Sequence, residues 1–149
     1  MSLIKNIYVE NNSGQKLGIT PKEIKANIKK VLDSLTNLKG YELSVLVTDD
    51  SGIQKLNKEK RGKDSPTDVL SFPVIEKDIP EGYKILGEVV ISLDTMKKQS
   101  REIGHTDKDE FYRLLVHGVL HLLGYDHEKS PYEEKRMQQK EDECLKMIG

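Results

Sequence analysis

The segment HGVLHLLGYDH, residues 117–127, constrains this chain more than any other. The chain contains four histidines, and three of them, His117, His121 and His127, fall in these eleven positions. A spacing of four places His117 and His121 on one face of a helix, with Cβ atoms roughly 5–6 Å apart. Gly124 comes three residues after His121. Glycine accepts positive φ at low cost, so the helix can end and the chain reverse there. His127, three residues further on, can then return over the same face. Three neutral imidazoles gathered in this way can hold one ion and leave a fourth coordination position open, the feature that separates catalytic from structural zinc sites.

The spacing H-x-x-x-H-x-x-G-x-x-H is that of metzincin-type zinc sites, in which a turn at the glycine brings round the third ligand. An all-imidazole tetrahedral set suits Zn²⁺, one ion per chain, although iron, nickel and manganese accept the same donors. The competing reading is a structural trio of core histidines. A metzincin-like zinc metallopeptidase would carry a glutamate directly after the first histidine as general base; Gly118 stands there, with no side chain to take a proton.

The remainder of the sequence predicts a mixed α/β (α+β) fold with a four-stranded sheet and about five helices. Strands are expected over 3–11 (LIKNIYVEN, with Ile4, Ile7 and Val9 apolar), 41–48, 67–74 (ending at Pro73) and 84–93. The first helix follows Thr20 as N-cap, with Pro21 in its first turn, Glu23 completing a capping box, and an apolar face of Ile24, Ile28, Val31, Leu32 and Leu35. A short helix is expected from about Ser51 to Lys60, another capped by Asp94 and closed by Gly104, and the histidine helix between Thr106 and Gly124. A last helix is capped by Ser130. EKDIPEGYK, between the third and fourth strands, is the only long loop and reads as a mobile surface segment. With no linker and no repeat, residues 1–149 are expected to form one domain. A formal net charge of −1 gives no global argument for nucleic acid, so any such site must be a local basic patch. The single cysteine, Cys144, excludes an internal disulfide and reads as structural. The absence of a signal-peptide pattern or a long apolar run makes a cytoplasmic protein with no membrane contact the expectation.

Taken together, HGVLHLLGYDH, RGKDSPTDVLSFP and LGEVVIS resemble, in order and over nearly the whole chain, the YbeY family of bacterial metal-dependent endoribonucleases. Glu88 departs from the aspartate usual at its position but keeps the charge. The resemblance implies a single-strand-specific, zinc-dependent endoribonuclease acting in ribosomal RNA maturation and ribosome quality control. RNA would be its substrate, and the ribosome or ribosomal proteins its partners; no DNA is expected. It implies that His117, His121 and His127 bind the ion and that Arg61 belongs to the active site with His117 and His121. Phosphodiester cleavage builds negative charge on non-bridging oxygens, which a metal ion and a planar guanidinium can both stabilise. On its residues alone, Arg61 reads as a solvated loop arginine. A non-catalytic ribosome-associated factor with a structural metal is the remaining alternative; it would fill the fourth metal position with a protein ligand.

Other polar residues have two readings each. Thr67 and Ser71 share a strand face with Val69 and can line a cleft, or Thr67 and Asp68 can merely finish a turn after Pro66. Asp126 can orient a ligand imidazole or cap its turn. Lys55, Lys58, Lys60, Arg61 and Lys63 form a solvated face or track an RNA backbone, with Lys63 a substrate contact beside Arg61. His105 is expected in an exposed loop.

Overall fold

The computed structural model describes residues 4–148; Leu3, expected in the first strand, and Gly149, expected at the end of the last helix, lie outside them. The chain runs β1 (Lys5–Asn11), α1 (Pro21–Leu35), β2 (Gly40–Thr48), α2 (Asp50–Arg61), β3 (Val69–Pro73), β4 (Tyr83–Ser92), α3 (Leu93–Ile103), α4 (Asp107–Leu122) and α5 (Pro131–Lys146). The sheet order is β1-β2-β4-β3. β1, β2 and β4 run parallel, and β3 pairs antiparallel with β4 at one edge. The fold is therefore α/β with a mixed four-stranded sheet and five helices among the described residues.

Burial on both faces accounts for the apolar runs near the ends of β2 (residues 45–47) and β4 (residues 89–91). On one face Leu43, Val45, Val89 and Ile91 pack with Ile24, Ile28 and Leu32 of α1 and with Phe111, Leu115 and Val119 of α4. On the other, Leu70 and Val90 pack against Ile53 of α2. Helix α4 is covered on a further side: Val116 and Leu120 meet Val31 of α1 and Met137 and Cys144 of α5. The alternation read in β3 holds, with Leu70 and Phe72 toward α2 and Val69 toward α4.

The caps at Thr20, Thr106 and Ser130 form as expected, each side-chain oxygen accepting a backbone N–H of the first turn. Four details differ from the sequence reading. Glu23 does not fold back on its own cap; its carboxylate accepts from Lys108 Nζ at 3.0 Å, joining α1 to α4. Helix α3 is capped by Ser92, the last residue of β4, so it begins at Leu93. Asp94 instead accepts from Asp50 N (2.9 Å) and Gln15 Nε2 (2.8 Å), and these bonds hold it below the usual carboxylate range. Ile4 precedes β1 and is largely exposed. His105 is half-buried, with Nε2 2.8 Å from Oε1 of the fully buried Glu110. The segment between β3 and β4 is a surface loop, with Ile75 almost wholly exposed. No helix among the described residues is long and apolar enough to cross a membrane.

The apolar part of the α4–α5 contact is a small buried cluster, so it is sensitive to cavity formation. Leu120→Ala is expected to destabilise the protein by ~2–5 kcal/mol, read as a lower urea midpoint at unchanged slope. A loss below ~0.5 kcal/mol would contradict the packing described.

Candidate metal centre and cleft

The site is built by the seating of α4 on the sheet. At Gly118 the helix backbone lies so close to β3 and β4 that an added Cβ would stand 2.6 Å from Val89 Cγ1 and 3.1 Å from Ser71 Oγ. The Ser71 hydroxyl donates to Gly118 O at 2.9 Å and locks the contact. Position 118 thus has no room for the peptidase glutamate.

One residue before this contact, His117 emerges on the open side of α4, and His121 follows one turn later. Their Nε2 atoms are 3.2 Å apart. The helix then closes in a Schellman motif: Tyr125 N donates to Leu120 O and Gly124 N to His121 O, with Gly124 at φ 98. This reversal carries His127 back. Its ring centroid lies 5.2 Å from that of His117 and 5.1 Å from that of His121. One nitrogen from each of the three rings lies within 4.8 Å of the others, so the trio forms a group that could hold a metal ion. Asp126, beside His127, caps the turn by accepting from Glu128 N at 2.9 Å.

The donor set fits a metal ion. Two nitrogens each about 2.0–2.1 Å from one tetrahedral Zn²⁺ stand ~3.3 Å apart, close to the observed His117–His121 separation. Burial, together with the neighbouring His117 and His127, holds His121 below the usual imidazole range, which favours the neutral, ligating form. His127 Nδ1 is buried and has no hydrogen-bond partner among the described residues.

The trio lies in an open cleft of about 710 Å³ whose walls include Arg61, Thr67, Asp68, Ser71 and Arg113. Arg61 is exposed at the last position of α2, where Gly62 ends the helix in the left-handed region. Thr67 donates weakly to Asp68 Oδ1 at 3.3 Å. Lys63 is exposed and does not line the cleft. Arg61, Thr67 and Ser71, expected at the substrate site, thus line the same cleft as the histidines, whereas Lys63, expected beside Arg61 as a substrate contact, does not.

Two residues at the site were not singled out from the sequence. Arg113 sits one turn before His117, its Nε 2.8 Å from Oε1 of the buried Glu110 and its Nη2 on Oε2. Glu141 reaches from α5 to His117 Nδ1 at 2.5 Å. The available signal for Glu141 was its place four residues after Met137 and three before Cys144, on the apolar stripe of an otherwise polar helix.

Fold and site define an α/β protein with a three-histidine group at the wall of a polar cleft. A sequence profile described as Endoribonuclease YbeY matches residues 8–149. Proteins described as Endoribonuclease YbeY from Persephonella marina and Aquifex aeolicus are similar to it. The first is 47% identical over 145 residues, covering 97% of this chain and 94% of the relative. The second is 54% identical over 116 residues, covering 78% and 76%. A solution structure of a Thermotoga maritima protein superposes with a TM-score of 0.68 at 28% identity, covering 96% of this chain and 89% of that one. The chain belongs to the YbeY endoribonuclease family.

Close approach at Gly118 gives a direct test. Gly118→Ala is expected to cost ~1–3 kcal/mol through overpacking. Val89→Ala should restore part of that in the double variant, so a denaturation cycle should show non-additivity above ~0.5 kcal/mol. Additive effects would contradict the contact.

Proposed function

We propose that this chain is a metal-dependent endoribonuclease that cuts single-stranded stretches of precursor ribosomal RNA. His117, His121 and His127 would hold one Zn²⁺ ion, and Arg61 would bind the scissile phosphate. The observation that carries the proposal is the convergence of three imidazole nitrogens within 4.8 Å in a cleft that also contains an exposed arginine. The relatives named above support RNA as substrate.

When bound, the ion supplies Lewis-acid stabilisation of charge developing on the phosphoryl oxygens and acidifies water. The remaining roles belong to the chain. Arg61 offers a planar, permanently charged fork matched to two phosphate oxygens. Its exposure lets it engage an incoming strand before the phosphate reaches the histidines. The Thr67 hydroxyl, only weakly bonded to Asp68, is available to a phosphate or ribose oxygen. Ser71 contributes its part-exposed edge while its hydroxyl donates to Gly118 O. Lys63 serves as an outer backbone contact. A cleft lined by arginines and hydroxyls with few aromatics favours contact with the backbone of a flexible strand over base readout.

A role in ribosome maturation and quality control, association with the ribosome or ribosomal proteins, and a cytoplasmic location complete the proposal. A local basic group at the end of α2, Lys58, Lys60 and Arg61, supports contact with an RNA backbone.

The test is cleavage of a defined single-stranded RNA by zinc-loaded, nuclease-free protein. His117→Ala is expected to abolish cutting, and Arg61→Ala to lower kcat by roughly 10²–10³-fold, the range for loss of one transition-state donor. Chelation should abolish cutting, and one equivalent of Zn²⁺ should restore it. Wild-type rates in His117→Ala or in the chelated protein would overturn the proposal. Zinc binding without cleavage of any RNA, with a fourth protein ligand on the ion, would favour the non-catalytic alternative.

A further inference from the structure

We infer that Glu141 is a positioning residue that fixes the tautomer and orientation of His117, making α5 a working part of the metal centre. The inference rests on the reading of His117 as a metal ligand.

The Glu141 carboxylate accepts from His117 Nδ1 at 2.5 Å. A carboxylate without a proton can only accept, so the ring donates from Nδ1. In the neutral imidazole this places the lone pair on Nε2, the atom that faces His121 Nε2. The tautomer needed for ligation at Nε2 is thereby selected before any ion arrives. A carboxylate behind the ring also makes Nε2 a stronger donor.

The placement of Glu141 is specific. Met137 and Cys144, both fully buried, bracket it on the same face of α5 and pack against Val116 and Leu120 of α4. Glu141 therefore stands on the inner stripe of the helix, where an aliphatic side chain would extend the apolar contact. Its side chain is only 15% exposed and that of His117 24% exposed. The other acids of the same turn, Asp142 and Glu143, are exposed, and Glu143 bonds to Lys140 of its own helix. Arg113, near enough for its charge to be affected by Glu141, is itself committed to Glu110 through two hydrogen bonds, so Glu141 is left to the histidine.

An ion pair that merely ties α5 to α4 would show itself only in stability. A positioning role predicts more. The experiment follows Glu141→Gln, which keeps size and an acceptor, Glu141→Ala, and Glu143→Gln as a control on the same helix. The ¹⁵N shifts of His117 in the metal-free protein report its tautomer. Competition with a chromophoric chelator reports the affinity for Zn²⁺, and thermal melting of the metal-free protein reports stability. Expected are a predominantly Nδ1-protonated His117 in the wild type and Glu143→Gln, and a shift toward the Nε2-protonated form in Glu141→Ala. Zinc affinity should fall 10–100-fold in Glu141→Ala and by a smaller factor in Glu141→Gln. Unchanged tautomer and affinity in both variants, with only a lower melting temperature, would overturn the inference while leaving the ligand assignment intact. A tautomer shift in a protein whose wild type binds no zinc would sustain the Glu141–His117 lock and overturn the metal reading instead.

Discussion

The close approach of α4 to the sheet at Gly118 is the contact from which the rest of the site follows. With no side chain at 118, the helix settles against Val89 and accepts the Ser71 hydroxyl on its carbonyl. That seat fixes the rotation of α4 about its own axis. Leu115 and Val119 are turned into the core, Val116 and Leu120 toward α5, and His117 and His121 into the cleft. A β-carbon at 118 would push the helix outward and move both imidazoles with it. The glycine also explains a chemical difference. The residue that a metalloprotease needs as base cannot be accommodated here, so the centre keeps metzincin-type histidine spacing without that enzyme's proton acceptor.

Around this seat, charged groups are held by other charged groups rather than left to solvent. Glu110, fully buried, is compensated by the Arg113 fork and hydrogen-bonded to His105. A buried carboxylate is tolerable only when paired in this way. The result is an arginine whose direction is fixed at the cleft wall. Arg61 is the opposite case, exposed and unconstrained by a carboxylate among the described residues. The loop that follows Arg61 is anchored by Asn57, a buried α2 residue whose Nδ2 donates to Ser65 O at 2.9 Å. Arg61 thus extends from a tethered turn, not a free one.

Much of this was legible in the sequence because it depends on local spacing. The 117–121 pair is set by helical period, the reversal by Gly124, and the start of three helices by Thr20, Thr106 and Ser130. What escaped depends on partners distant in the chain. Glu141 is one of several acids on a polar helix, and only its partner 24 residues upstream distinguishes it. Arg113 lies within an apolar run, and its orientation follows from a neighbour whose burial no pattern announced. Asp94 was misread because Asp-Thr resembles a cap; the sheet's final residue, Ser92, reaches that position first, freeing Asp94 to join α2. Asp126 and Glu141 show the same contrast: the adjacent acid caps a turn, while the distant one reaches the ring.

X-ray absorption at the zinc edge on protein loaded with one equivalent of Zn²⁺ tests the central claim most directly, that three imidazoles converge on a single ion. The account predicts one ion per chain with three imidazole nitrogens at about 2.0–2.1 Å and no sulfur scatterer. A shell with fewer than three imidazoles, or an ion held by carboxylates elsewhere on the chain, would contradict it.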